Sequence, residues 1–168
     1  MERRSRKPGS GGDKERQQSE FDQKVVEVSR VTRVVAGGKR MRFRALVVIG
    51  DRKGRVGMGL RKGRDVAESV NKAVNQAKKN LVLLPLVNGT IPHEMGIKYK
   101  SSKLILRPAK PGTGVIAGGA VRQVAEMAGI KNMMSKMLGS SNKVNNIKAV
   151  FSAFRRMKSK EQLAALRK

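Results

Sequence analysis

Lys39-Arg40-Met41-Arg42-Phe43-Arg44-Ala45-Leu46-Val47-Val48-Ile49 sets Arg40, Arg42 and Arg44 against Met41, Phe43 and Ala45, then becomes continuously apolar. A period of two is the period of a strand. It predicts one buried face and one wet face, the wet one a ladder of arginines. Upstream, Val25, Val26, Val28, Val31, Val34 and Val35 form a β-branched run that stops at Ala36-Gly37-Gly38, where glycine permits a tight turn. Downstream, Gly50-Asp51-Arg52-Lys53-Gly54 reads as a hairpin loop, and Arg55 to Leu60 as a third short strand. The result is a three-stranded meander.

Asp65, with Glu68 three positions later, predicts a capped helix start. Val66, Val70, Ala73, Val74 and Ala77 make its apolar stripe, and the helix ends near Asn80. Leu81 to Pro92 is a Pro-interrupted connector with a possible strand, and it marks a domain boundary. Beyond it, Lys98 to Arg107 reads as one or two strands. Gly112 to Gly119 is a glycine-rich turn into a helix carrying Ala120, Val121, Val124, Ala125 and Ala128 and closed by Gly129. Ile130 to Leu138 reads as a strand, and Asn142 to Met157 as a helix with Val144, Ile147, Val150, Phe151 and Phe154 on one face. Ser159 to Leu166 is a weak short helix.

The chain has 168 residues, with 38 Lys and Arg against 12 Asp and Glu, a net charge of +26. Self-repulsion of that size requires a dense anionic partner, which points to nucleic acid. The charge is uneven. Val25 to Arg64 holds 12 basic residues against Glu27 and Asp51, and Ser101 to Lys168 holds 14 against Glu126 and Glu161. A face made only for solubility mixes signs. With no Trp, one Tyr and four Phe, stacking on bases is not the main mode; phosphate and 2′-hydroxyl contacts to folded RNA are. No Cys means no disulfides or thiolate metal sites. The longest apolar stretch, Leu81 to Val87, is far short of the ~20 residues that span a bilayer.

Candidate chemistry is sparse. Gly112-x-Gly114-x-x-Ala117 matches a dinucleotide fingerprint in its Ala variant, but that reading needs an acidic residue about 20 positions on. Met133 to Lys136 supplies none. The same turn serves equally as a helix N-terminus facing RNA phosphate or as tight helix-on-sheet packing. His93, the only histidine, reads as a turn residue after Pro92, and the cluster Met133, Met134 and Met137 as adaptable core filler. No active site is discernible.

Four runs carry a likeness. Arg30-Val31-Thr32-Arg33-Val34-Val35-Ala36-Gly37-Gly38, Ala45-Leu46-Val47-Val48-Ile49-Gly50-Asp51, Gly54-Arg55-Val56-Gly57-Met58-Gly59 and Gly112-Thr113-Gly114-Val115-Ile116-Ala117-Gly118-Gly119 stand in this order between about Phe21 and Met157. Together they resemble the bacterial small-subunit ribosomal protein number five family. The resemblance implies a double-stranded-RNA-binding-like domain over residues 20–83 and a C-terminal α/β domain over 91–157, both on small-subunit ribosomal RNA. It also implies that the Gly37-Gly38 loop reaches an RNA helix near the head of the subunit, close to the spectinomycin site, and aids translational accuracy. Ribosomal proteins number four and number eight are the implied neighbours, near the entry of the messenger RNA channel. The chain departs from its relatives at Ala36, where they commonly carry Lys, leaving Lys39 or Arg40 to replace that charge. It departs again at Lys110-Pro111, where they commonly carry Ser-Glu.

The expectation is therefore an α+β protein: a β-β-β-α domain followed by a β-α-β-α two-layer domain, flanked by a disordered basic tail over 1–20 and a tail over 158–168. It is expected to be a cytoplasmic, structural constituent of the small ribosomal subunit that supports assembly and accuracy, without catalysis, cofactor, metal, membrane or small-molecule substrate. The expected RNA-binding residues are Arg30, Arg33, Gly37, Gly38, Lys39, Arg40, Arg42, Arg44, Arg52, Lys53, Arg55, Arg61, Lys62 and Arg64. A second contact to RNA or protein is expected at Lys110, Gly112, Thr113, Gly114, Gly118, Gly119 and Arg122. The alternatives are a free regulatory double-stranded-RNA binder and a nucleotide-dependent enzyme using the Gly112 turn.

Overall fold

The valine run and the arginine alternation fold as one long hairpin in the computed structural model, which describes residues 20–158. Strand β1 (Asp22–Val35) lies antiparallel to β2 (Gly38–Gly50), with Val35 opposite Gly38 and Asp22 opposite Gly50. Strand β3 (Arg55–Gly63) pairs antiparallel with β2, and β4 (Leu81–Leu83) pairs with β3 through Val56 and Val82. The possible strand in the connector is thus real and completes a four-stranded sheet in the order β1-β2-β3-β4. The expected tail over 1–20, apart from Glu20, and the short helix from Ser159 lie outside the described residues.

Helix α1 (Val66–Lys79) covers one face of this sheet. Its stripe works as the spacing predicts at Ala73 and Ala77, which are fully buried against Ala45, Val47 and Ile49, with Val70 and Val74 packed beside them. Val66 is exposed instead. The helix start also differs from the expected box. Asp65 makes no side-chain cap, while Glu68 accepts from the Arg64 N–H at 2.6 Å and from Lys72 Nζ at 2.6 Å. The Lys72 hydrogen bond and the Arg64 N–H hold the Glu68 carboxyl down at about 2.

The second half carries β5 (Met95–Tyr99), β6 (Ser102–Pro108), β7 (Val115–Ile116), α2 (Gly119–Ala128), β8 (Met133–Met137) and α3 (Lys143–Arg156). The sheet order is β5-β6-β8-β7, antiparallel except for β7 with β8. Lys98 to Arg107 therefore belongs to two strands. The two-residue β7, inside the stretch read as a glycine turn, was not foreseen: too short to show a period, it forms only because β8 offers it an edge. Asn142 caps α3, its Oδ1 accepting from the Val144 N–H at 3.0 Å, and Arg155 and Arg156 lie in the last turn, where cations suit the helix dipole. Of the methionine cluster, Met133 is core, whereas Met134 is exposed.

The molecule is layered as α1, first sheet, α2 with α3, second sheet. The apolar run of β2 is explained by this stacking. Ala45, Val47 and Ile49 face α1, while Leu46 and Val48 enter one core with Val121, Val124, Phe151 and Phe154 of the second half. Burying one such aliphatic side chain contributes about 1.5–3 kcal/mol. Backbone hydrogen bonds lock the seam: the Arg52 N–H donates to Met127 O at 3.1 Å and the Gly54 N–H to Ala128 O at 2.9 Å. Lys24 adds an ion pair to Glu126 at 2.8 Å. Gly129 ends α2 with φ +81°, and a Cβ there would collide with the Arg52 backbone.

Two outcomes follow from this packing. Gly129→Ala combines a left-handed backbone with a collision at the seam, so its unfolding midpoint should fall by the equivalent of about 2 kcal/mol or more, read by denaturant titration. Gly96→Ala, with open space around its Cβ position and no positive φ, is the neutral control. For Glu68, the folded value near 2 lies below the ordinary 4.5. Its contribution is therefore full above about pH 5 and vanishes as the pH falls toward 2. The melting-temperature gap between wild type and Glu68→Gln should close over that window.

Candidate nucleic-acid interface

The register of the long hairpin decides which cations share a face. Directly opposite residues of an antiparallel pair lie on the same side, and so do residues two apart. Arg33 opposes Arg40, Val31 opposes Arg42, Ser29 opposes Arg44, and Arg44 in turn opposes Lys62 on β3. Arg33, Arg40, Arg42, Arg44 and Lys62 therefore stand on one face, and a shallow cavity of about 210 Å³ opens among Val31, Arg33, Arg40, Arg42 and Lys62. Among the described residues no acidic side chain lines it; Glu27, on the same side, stands further inward, opposite Leu46. The other face carries Arg30, Lys39 and Arg61 with Val34, Met41 and Phe43.

The expectation that Met41 lies on a buried face fails. Met41 is 53% exposed and Val34, beside it, 73%. The distal hairpin projects beyond α1, so both of its faces are open, and burial begins only at Ala45. The wet face is likewise shorter than the ladder suggests: Leu46 and Val48 continue the Arg40-Arg42-Arg44 side and are buried beneath the second half. The sequence period correctly set the sides but could not show where each one ends.

The turn of Ala36 and Gly37 closes the hairpin. Gly38 has φ +133°, which the fold requires of glycine. Gly37 has no such φ, and a Cβ on it would meet nothing within 4 Å. Folding thus does not demand glycine at position 37, and its bare surface points outward.

Arg52 and Arg55 are committed within the protein. Arg52 pairs with Asp22 at 2.8 Å, and Arg55 pairs with Asp51 at 2.7 Å and with Glu20 at 2.9 Å, its guanidinium lying 5.3 Å from the Phe21 ring centroid. Burial alone would raise the Asp51 carboxyl, but the Arg55 hydrogen bond and the Lys53 and Arg55 N–H groups outweigh it and hold it low. Lys53 and Arg64 are exposed just beyond opposite ends of β3.

In the second half, Lys110, Gly112 and Thr113 are exposed on a turn held by the Thr113 N–H donating to Lys110 O at 3.2 Å. Asn132, buried and without a sequence signal, anchors that turn by accepting from the Gly114 N–H at 3.0 Å. Gly118 precedes α2, Gly119 opens it, and Arg122 pairs with Glu126 at 3.3 Å. The dinucleotide fingerprint has the wrong setting: β7 intervenes between Gly114 and the helix, and β6 runs antiparallel to β8. His93 lies in the bend after Pro92, and neighbouring Glu94 pairs with Arg107 at 2.8 Å.

Residues 21–85 match the model of the ribosomal protein S5 N-terminal domain, and residues 97–167 that of the S5 C-terminal domain. The chain belongs to the ribosomal protein S5 family. It is 44% identical over 154 residues to the small ribosomal subunit protein uS5 of Thermotoga petrophila, which spans 92% of this chain and 86% of the relative. The uS5 of Thermotoga sp. strain RQ2 matches to the same extent. The S5 family is one of structural ribosomal proteins, and in bacteria a member is a cytoplasmic protein of the small subunit.

For this S5 chain the two tip glycines should separate by function. Gly37→Ala should leave the melting temperature unchanged or slightly raised while weakening binding to structured RNA. Gly38→Ala should cost about 1–3 kcal/mol of local stability, visible as faster hydrogen exchange at the tip.

Proposed function

We propose that the chain is a non-catalytic structural constituent of the small ribosomal subunit that binds ribosomal RNA and supports assembly and translational accuracy. The observation that carries this reading is the register that puts Arg33, Arg40, Arg42, Arg44 and Lys62 on one open face, with Glu27 the acidic residue of that side among the described residues and set inward of them, opposite Leu46. Such a row suits an extended polyanion rather than a small substrate. The hairpin tip, with Gly37, Gly38 and Lys39, docks closest to the RNA. Arg30, Arg61, Lys53 and Arg64 add contacts from the flanks, while Arg52 and Arg55 act mainly by bracing the loop that bears them.

Residues 20–83 and 91–157 form the two working units of this reading. The second unit, through Lys110, Gly112, Thr113, Gly114, Gly118, Gly119 and Arg122, joins RNA to the neighbouring ribosomal proteins number four and number eight. A free regulatory double-stranded-RNA binder would use the same arginine face, and would leave the ribosome fraction in a high-salt wash that retains an integral subunit protein.

Recognition by phosphate neutralisation has a numerical signature. With about five phosphates engaged, log K should fall with log salt at a slope of roughly −4 to −5, and each arginine removed should lessen the slope by about one. Arg40→Gln with Arg42→Gln should therefore reduce it by about two on a small-subunit RNA fragment, measured by filter binding. A flat salt dependence in the wild type would reject the mechanism.

A further inference from the structure

We infer that the cleft between the two halves of the molecule holds one unpaired nucleotide of the bound RNA, its base stacked on Tyr99 and its phosphate met by Lys148 and Arg155. The inference rests on the RNA-binding reading above and adds a second mode to it. The cleft has a volume of about 510 Å³, within the ~300–1,000 Å³ of pockets that enclose small ligands. Its floor is Met58 and Leu60, from β3.

The position of that floor is decisive. Met58 opposes Val48 and Leu60 opposes Leu46, on the side of the sheet that bears Arg44 and Lys62. The cleft therefore continues the cationic face inward, one cross-strand pair beyond Arg44 and Lys62. An RNA backbone tracking the arginines arrives at its mouth.

The walls suit a nucleotide. Lys148 and Arg155 are seven residues apart on α3, two turns along one side, and among the described residues no carboxylate lines the cleft. Tyr99 is half-buried at the end of β5, with the Lys148 ammonium 6.0 Å from its ring centroid. That distance is the outer limit of a cation–π contact, so the ammonium yields the ring to a base and turns to the phosphate. Gln76, fixed by accepting from the Leu60 N–H at 3.0 Å, keeps its NH₂ group as a donor for a base edge. A base displayed outside the helix and stacked on an aromatic side chain is a common form of RNA recognition.

The chain has one Tyr and no Trp, so its intrinsic emission reports Tyr99 alone. The full chain is titrated with a 20-base-pair RNA duplex, and with the same duplex carrying one extrahelical uridine. Binding is followed by anisotropy and stacking by tyrosine emission. The bulged RNA should bind about tenfold more tightly and quench the emission, whereas the plain duplex should bind without quenching. Tyr99→Phe, which keeps the ring packed against the core, should keep both the preference and the melting temperature, and Tyr99→Leu should erase the preference while leaving plain-duplex affinity unchanged. Lys148→Gln with Arg155→Gln should weaken the quenching several-fold. Equal binding of both RNAs without quenching overturns the cleft and leaves the arginine face standing; failure to bind either RNA overturns both.

Discussion

One strand does two incompatible things, and the rest of the molecule is arranged around it. From Ala45 to Ile49, β2 is buried on both faces, its odd residues under α1 and its even residues under α2 and α3. From Gly38 to Arg42 the same strand is exposed on both. The buried half supplies the free energy that fixes the strand, and the exposed half spends none of it on its own packing. A hairpin of this reach would be marginal alone in water. Anchored by a shared core, it holds four cations in register on one side, beside Lys62 of β3.

That register has an electrostatic cost. Arg33 faces Arg40 and Arg44 faces Lys62, like charges directly across the strands, an arrangement that destabilises a free sheet. Among the described residues the ion pairs lie elsewhere, at Lys24, Arg52, Arg55, Lys72, Arg107 and Arg122. Among the described residues the ion-paired carboxylates are thus used at the seam, at loops and in helices, while Glu27, accepting from Ser29 Oγ at 3.1 Å, is a carboxylate on the arginine side itself, opposite Leu46 and one step inward of Arg44. An external anion relieves such like-charge repulsion, so anion binding at this face also stabilises the hairpin locally.

Much of this was legible in the residues themselves. The period of two at Arg40 to Ala45, the stripe of α1 and the face of α3 carried the elements and their sides, and the four glycine-bearing runs carried the family. What stayed hidden depended on contacts between distant segments. The exposure of Met41 and Val34 follows from where α1 stops, not from any local pattern. The pairing of Arg52 and Arg55 with Asp22, Asp51 and Glu20 withdraws two cations that composition counted with the rest. Asn132 shapes the Lys110–Gly114 turn from another strand, and β7 exists because β8 lies beside it.

The two halves cannot be treated as beads on a linker. The β2–β3 loop is hydrogen-bonded to the end of α2, Gly50 and Gly129 allow backbone to meet backbone there, and Leu46 and Val48 belong to the second half's core. A strand of 13 residues spans roughly 40 Å. A displacement of the glycine tip is therefore carried along β2 into the packing of α2, whose start bears Gly118, Gly119 and Arg122. Packed interiors deform little and transmit strain, so the buried part of β2 and helix α2 share one fixed geometry. Two domains on a flexible linker would lack this coupling, because no shared core would tie the strand of one to the helices of the other.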